Sequence, residues 1–231
     1  MNFTQTEWDN VAMLPGDASS LSKPISAKQP AMAEIRSHAM TIGLLGLPGT
    51  GKSSVCNALL GEQVAEVGAT SPCTTYAEEF ECVFDKVDFC SLIDTPGMFA
   101  GEHCAAGNLD LIGSILPELN LALMVVNVAA PGLNEMERCL NRLAQFSCGL
   151  PTDTLWILNG FESISPAQQR QMQRYQQGHK QKQRIEILRL LLGIRFGVPQ
   201  DHILMLSGKP GFGAAALWSA IRRIVDSRRE R

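Results

Sequence analysis

At 231 residues, with 45% apolar residues and a formal net charge of −3, the chain has the make-up of a soluble globular protein with room for one sizeable core. No apolar run reaches the ~18 residues that span a bilayer, and no basic patch followed by an apolar stretch opens the chain, so neither membrane contact nor a secretory signal is expected. Seven cysteines, an odd number without C-x-x-C spacing, argue against a disulfide framework and a zinc site and for reduced thiols in a cytoplasmic protein.

Residues 1–38 are rich in Ser, Pro, Ala and Gln and are expected to form a flexible arm, with a short helix near Thr4–Met13 and with Trp8, Val11 and Leu14 available to dock on the domain. Residues 39–231 read as the folded domain. Strand patterns fall at Thr41–Leu45, Ala77–Phe84, Val87–Ile93, Leu121–Val128, Thr154–Leu158 and His202–Leu206. Helical patterns fall at Lys52–Leu60, Asn108–Leu116, Asn134–Phe146, Pro166–Leu192 and Ala214–Ser227. Leu133, Met136, Leu140 and Leu143 lay one apolar stripe along the third of these helices. Leu121–Ala130 is the most apolar run, and Asn127 interrupts it.

Alternation of strand and helix predicts an α/β fold with a mostly parallel six-stranded sheet covered by helices on both faces. One pair departs from this. Only Asp85 and Lys86 separate the second and third strands, too few for a parallel crossover, so these two form an antiparallel hairpin.

Charge is unevenly spread. Acids dominate from Glu62 to Glu102 with Lys86 alone opposing them, whereas the stretch 167–195 carries seven Lys and Arg against Glu186. A basic stretch of this kind suits RNA or an acidic partner, and is more often a solvated helix face.

The chemistry is concentrated in three motifs. Gly46-Leu-Pro-Gly-Thr-Gly-Lys-Ser53 fits the phosphate-loop pattern G-x-x-x-x-G-K-[ST] and sits between a strand and a helix. Its glycines let backbone N–H groups point inward at a phosphate, and the helix dipole adds positive charge at the same spot. The nucleotide-binding set here is Gly46, Pro48, Gly49, Thr50, Gly51, Lys52, Ser53 and Ser54, with Lys52 reaching the β- and γ-phosphates and Ser53 ligating Mg²⁺. Asp94-Thr-Pro-Gly97 ends the third strand, where Asp94 is placed to hold Mg²⁺ and the Gly97 N–H to approach a γ-phosphate. Between them, a threonine of Ala69–Thr75 is expected to close over Mg²⁺, Thr74 first and Thr75 as the alternate. Gly101 and Gly107 bracket a polar segment read as mobile.

With these motifs in place the chain resembles the Era/TrmE-like branch of the translation-factor-related P-loop GTPases, in particular its bacterial ribosome-binding GTPase-like group. A phosphate loop after the first strand, followed by a strand 2–3 hairpin, is the layout of the Ras-like GTPase domain. The resemblance spans about residues 40–228 and rests on Ile42–Gly61, Cys73-Thr74 and Leu92–Gly97. It implies GTP and GDP binding, Mg²⁺, hydrolysis of GTP, a nucleotide-dependent switch, and RNA or ribosome contact through 167–195. It also implies base-binding roles for Asn159 and Glu162, on the family's N/T-K-x-D motif, and for Ser207, Gly208 and Lys209, on its guanine loop. Three positions depart from the family pattern. Gly160 and Glu162 replace the motif's lysine and aspartate, which leaves guanine against adenine open. Met98 stands where Ras-type enzymes carry a water-orienting glutamine, and Gly49 where some relatives carry a potassium-holding asparagine. Glu102 and His103 read as solvent-facing. The sequence therefore shows no catalytic residue, which implies slow intrinsic turnover or stimulation by a partner or a nucleotide-dependent homodimer.

Overall fold

The computed structural model describes residues 40–65, 77–84, 88–99, 105–146, 150–151, 153–160, 177–206 and 213–230. Six strands form one sheet: β1 (Met40–Leu45), β2 (Glu78–Phe84), β3 (Asp88–Asp94), β4 (Leu121–Asn127), β5 (Thr154–Asn159) and β6 (Ile203–Met205), in the order β2-β3-β1-β4-β5-β6. All neighbours run parallel except β2 and β3, which pair antiparallel from Glu78–Asp94 to Phe84–Asp88. The expected hairpin is therefore present, with residues 85–87 between the paired ends. β1 and β4 lie mid-sheet and read as nearly unbroken apolar runs because both of their faces are covered.

Five helices supply the cover: α1 (Lys52–Leu60), α2 (Ala105–Ile115), α3 (Leu133–Phe146), α4 (Gln177–Phe196) and α5 (Ala214–Arg229). On one face Val55 and Leu59 of α1 and Leu217, Trp218 and Ile221 of α5 pack on Ile42, Leu44, Leu123 and Ile157. On the other, Ile112 of α2, Met136 and Leu143 of α3, and Ile185, Leu188 and Leu192 of α4 pack on Leu45, Met124, Val126 and Leu158. Fully burying each such side chain contributes roughly 1.5–3 kcal/mol, so the two layers dominate the stability of the fold.

Two helices differ from their sequence patterns by more than two residues at an end. α4 runs four residues past Leu192 because Phe196 belongs to the core and stacks on Trp156, with ring centroids 5.1 Å apart. The first part of the expected helix, 166–176, lies outside the described residues. α2 starts at Ala105, so Gly107 stands in its first turn and not in a loop, because burial of Leu109 and Ile112 outweighs the weak local preference of one glycine. Cys82 and Cys90 face each other across the hairpin, their sulfurs 2.6 Å apart, and with Cys56 and Cys139 they are free and buried. Burial pushes the Cys56 thiol up, and the Cys82 contact followed by burial does the same to Cys90, so both stay neutral.

Candidate nucleotide site

In a parallel sheet, ligands collect beyond the carboxyl ends of the strands where the chain's winding reverses. That reversal occurs at β1, flanked by β3 and β4. Register ends β1 and β3 together there, with Leu44 paired to Asp94, while β4 and β5 end level with each other at Asn127 and Asn159, three residues beyond the Leu45–Met124 pair. The phosphate loop leaves β1 at this edge and turns directly into α1, whose first turn is Lys52-Ser53-Ser54.

The loop is held by buried hydrogen bonds. Thr50 Oγ1 donates to the Leu47 carbonyl at 2.9 Å, and Asn159 Nδ2 donates to the Thr50 carbonyl at 2.9 Å. Lys52, 8% exposed, curls back so that Nζ donates to the carbonyls of Gly46 and Leu47, each at 3.3 Å. Burial lowers its pKa to about 8, a shift only partly opposed by Asp94. Ser53 Oγ donates to Asp94 Oδ2 at 2.6 Å. Burial also raises the Asp94 carboxyl above its ordinary value, against the Ser53 hydrogen bond and the Lys52 charge. An ammonium and a carboxylate side by side are thus both drawn toward neutrality by desolvation. A polyanion at Lys52 and a cation at Asp94 would relieve both.

Two buried side-chain atoms lack a hydrogen-bond partner among the described residues, Asp94 Oδ1 and Asn159 Oδ1. Native structures leave few such atoms, and each calls for an explanation. Both belong to residues the sequence assigns to the ligand. Ser53 Oγ and the free Asp94 oxygen fit a hard cation that takes its remaining ligands from phosphate and water, as Mg²⁺ does. No group of three or more His, Cys, Asp or Glu that could form an all-protein metal cage occurs among the described residues.

The segment after Asp94 lies against the loop. Thr95 Oγ1 donates to the Leu44 carbonyl at 2.6 Å, and the Met98 N–H donates to the Gly46 carbonyl at 2.9 Å. A Cβ on Gly97 would lie 2.6 Å from Pro48 Cγ and 2.8 and 2.9 Å from its backbone N and Cα, so only glycine fits. Gly97→Ala should push this segment off the phosphate loop and cost roughly 1–3 kcal/mol. A urea midpoint equal to wild type would show that the two segments do not touch in solution.

Met98 is fully buried and belongs to the core with Leu45, Leu47 and Leu109. It replaces the glutamine's position in the chain but not its place beside the ligand. Three residues outside the expected nucleotide-binding set also shape the site. Thr95 ties β3 to β1; Asn108 Nδ2 donates to the Gly97 carbonyl at 3.3 Å; and Asn127 accepts from the Ala129 and Ala130 N–H groups with Nδ2 within 3.5 Å of the Gly49 carbonyl. The only signal for Asn127 was a polar residue in an apolar strand. Asn159 is the last residue of β5 and reaches the loop, as described above. Thr74, Thr75, Glu102, His103, Glu162, Ser207, Gly208 and Lys209 lie outside the described residues.

The family model of the 50S ribosome-binding GTPases matches residues 41–159, just over half of the chain. The chain belongs to this GTPase family. The matched span holds the phosphate loop, the Asp94–Gly97 segment and Asn159, and the six-stranded sheet is that of a Ras-like P-loop GTPase. A guanine nucleotide-binding protein-like 3-like protein of Bos taurus is 35% identical over 78 residues, 34% of this chain and 13% of that protein. Protein YfjP of Escherichia coli (strain K12) is 32% identical over 85 residues, 37% of this chain and 29% of its own length. This GTPase chain thus matches only a small part of these curated relatives. Among solved structures, Era in complex with MgGDPNP and nucleotides 1506–1542 of 16S ribosomal RNA superposes with a TM-score of 0.63 at 16% identity, covering 81% of this chain and 57% of that one. Toc33 from Arabidopsis thaliana, in complex with Mg²⁺ and GMPPNP, superposes with a TM-score of 0.56 at 17% identity, covering 86% and 90%. At these identities the likeness establishes the fold.

Proposed function

We propose that the chain is a Mg²⁺-dependent switch that binds GTP and hydrolyses it to GDP with slow intrinsic turnover. The observation that carries this is the pair of orphaned buried oxygens, on Asp94 and Asn159, beside a phosphate loop whose lysine is buried and only partly offset by Asp94. Family membership and the fold support guanine nucleotide as the ligand.

In this reading Lys52 turns from the Gly46 and Leu47 carbonyls to the β- and γ-phosphates, and the N–H groups of the loop close around them. Ser53 and Asp94 would hold Mg²⁺, which would supply neutralisation of the charge that develops as the γ-phosphoryl group leaves. The Gly97 N–H and the loop bearing Thr74 and Thr75 respond to the γ-phosphate and relax after hydrolysis. Met98, sealed in the core, orients no water. That burial supports slow turnover, or stimulation by a partner or a nucleotide-dependent homodimer. It also favours a second reading, a nucleotide-binding interaction protein with little hydrolysis.

RNA contact through 167–195 gains little from the structure. Arg184 bonds the Ala129 carbonyl, Arg189 the Gln200 carbonyl, and Arg195 the Glu137 carboxylate, so these three guanidinium groups are engaged within the domain. A cytoplasmic setting stays part of the proposal on the strength of the cysteine pattern. No helix among the described residues is long and apolar enough to cross a membrane.

Titration with GTP, GDP and ATP, with and without Mg²⁺, followed by single-turnover phosphate release, tests the reading. Guanine preference with release above background is expected; tight binding without release would establish the second reading, and preference for ATP would overturn the GTPase assignment. Glu162→Asp restores the family's carboxylate reach and should raise guanine over adenine selectivity, because a buried acceptor facing the wrong base is left unpaired. Unchanged selectivity would remove Glu162 from the base site.

A further inference from the structure

Helix α4 is apolar on two opposite faces. Ile185, Leu188 and Leu192 enter the core, and on the reverse side Ile187, Leu190, Leu191 and Ile194 stand 57%, 59%, 38% and 80% exposed. Their i, i+3, i+4, i+7 spacing makes one continuous stripe over the last two turns of the helix, the pattern that receives another helix. The nucleotide site makes no use of it. An exposed apolar stripe of this kind marks an interaction surface.

Three observations bear on what covers it. The stripe offers on the order of 400 Å² of apolar surface, about half of the ~800 Å² per partner that a stable protein complex buries, so it suits two or three turns of helix better than a second globular domain. The chain itself supplies a segment of that size: 39 residues precede Met40, and among them Trp8, Val11 and Leu14 fall close in register within Thr4–Leu14. Location and charge agree. α4 descends to the sheet edge where β6 begins, and since β1 and β6 run parallel, the chain enters β1 at that same edge. Three strand spacings, about 14 Å, separate the two, and 39 residues reach far beyond that. Residues 1–22 contain Glu7, Asp9 and Asp17 and no Lys or Arg, whereas α4 carries Lys180, Lys182, Arg184, Arg189 and Arg195 against Glu186. Among the described residues Arg195 meets the Glu137 carboxylate, whereas Arg184 and Arg189 bond backbone carbonyls.

We infer that the segment Thr4–Leu14 of this chain docks as an amphipathic helix on the Ile187–Leu190–Leu191–Ile194 stripe of α4. Trp8 and Val11 cover the stripe, and Glu7, one turn before Val11, borders it on one side while Asp9 lies on the other.

Trp8 reports on this contact directly. The chain has three tryptophans, and Trp156 and Trp218 are 4% and 5% exposed, so acrylamide quenching of the full-length protein, corrected with a Trp8→Phe blank, reads Trp8. Docking predicts a quenching constant several-fold below that of a free peptide of residues 1–20, restored to the peptide value by the double substitution Leu190→Glu and Ile194→Glu. Both substituted residues are exposed, so the fold tolerates them, and unchanged circular dichroism checks this. Glu7→Lys with Asp9→Lys should also raise quenching, and high salt, by screening the new repulsion, should lower it partway back. Trp8 as quenchable in the full chain as in the peptide would overturn the inference. So would protection that depends on protein concentration and disappears with a sedimenting dimer, which gives the stripe to a second copy. Trp8 protected only when anionic lipid vesicles are added gives it to a membrane surface, and overturns the inference equally.

Discussion

Lys52→Met is expected to abolish nucleotide binding while leaving the nucleotide-free protein as stable as wild type or more so. The substitution keeps most of the apolar stem and removes the ammonium. Charge-assisted hydrogen bonds to phosphate contribute about 1.5–3 kcal/mol each, so losing two lowers affinity for GTP and GDP by about a hundredfold or more. The stability effect has the opposite sign. In the folded, nucleotide-free chain the Lys52 pKa is about 8, against an ordinary value of 10.5. Below pH 8 both folded and unfolded chains keep the proton, and the buried ammonium costs the fold roughly 3 kcal/mol. Between these two values the folded protein has shed its proton and the unfolded chain has not, so stability rises with pH and the cost disappears above the upper one. Lys52→Met should therefore raise the urea midpoint at pH 7, by less near pH 10. Calorimetric titration and urea unfolding read the two effects separately. Retained GTP affinity in the variant would sink the assignment of the site.

Gly51→Ala should disrupt the same loop through its backbone. Gly51 caps α1 with a φ of 90°, and a Cβ there would stand 2.2 Å from Asn159 Nδ2. The left-handed conformation costs an alanine roughly 1–2 kcal/mol. Displacing the Asn159 amide leaves the Thr50 carbonyl unpaired, which costs about 1–3 kcal/mol more. The variant should lose about 2–5 kcal/mol of stability and most of its nucleotide affinity. In an Asn159→Ala background the clash partner is gone, so the two substitutions should cost less together than the sum of each alone. Strict additivity would show that Asn159 does not brace the loop.

These residues also separate what was legible in the chain from what was not. The phosphate loop, Asp94 and Gly97 were readable because each belongs to a contiguous run whose neighbours declare a strand, a turn and a helix. The hairpin was readable because residues 85 and 86 leave no room for a crossover, and the structure pairs Glu78–Phe84 with Asp88–Asp94 in antiparallel register. Asn127, Asn108 and Thr95 were not readable as parts of the site. Thr95 meets the Leu44 carbonyl, 51 positions away, only once the strands align, and Asn108 and Asn127 reach the Gly97 and Gly49 carbonyls only once their segments pack together. The role of Asn159 as a brace was hidden for the same reason, since its partner Thr50 lies 109 positions away.

The sequence by itself determined the class of ligand and the fold that holds it, because glycine, lysine and hydroxyl at fixed short spacing act through local backbone geometry. Only the tertiary structure decided which way Met98 faces, how α4 divides its apolar residues between core and surface, and which Asp94 oxygen is left without a partner among the described residues. Those are matters of what lies opposite a side chain once the sheet has formed. No spacing along the chain encodes them, because the two sides of each contact are set by register and burial.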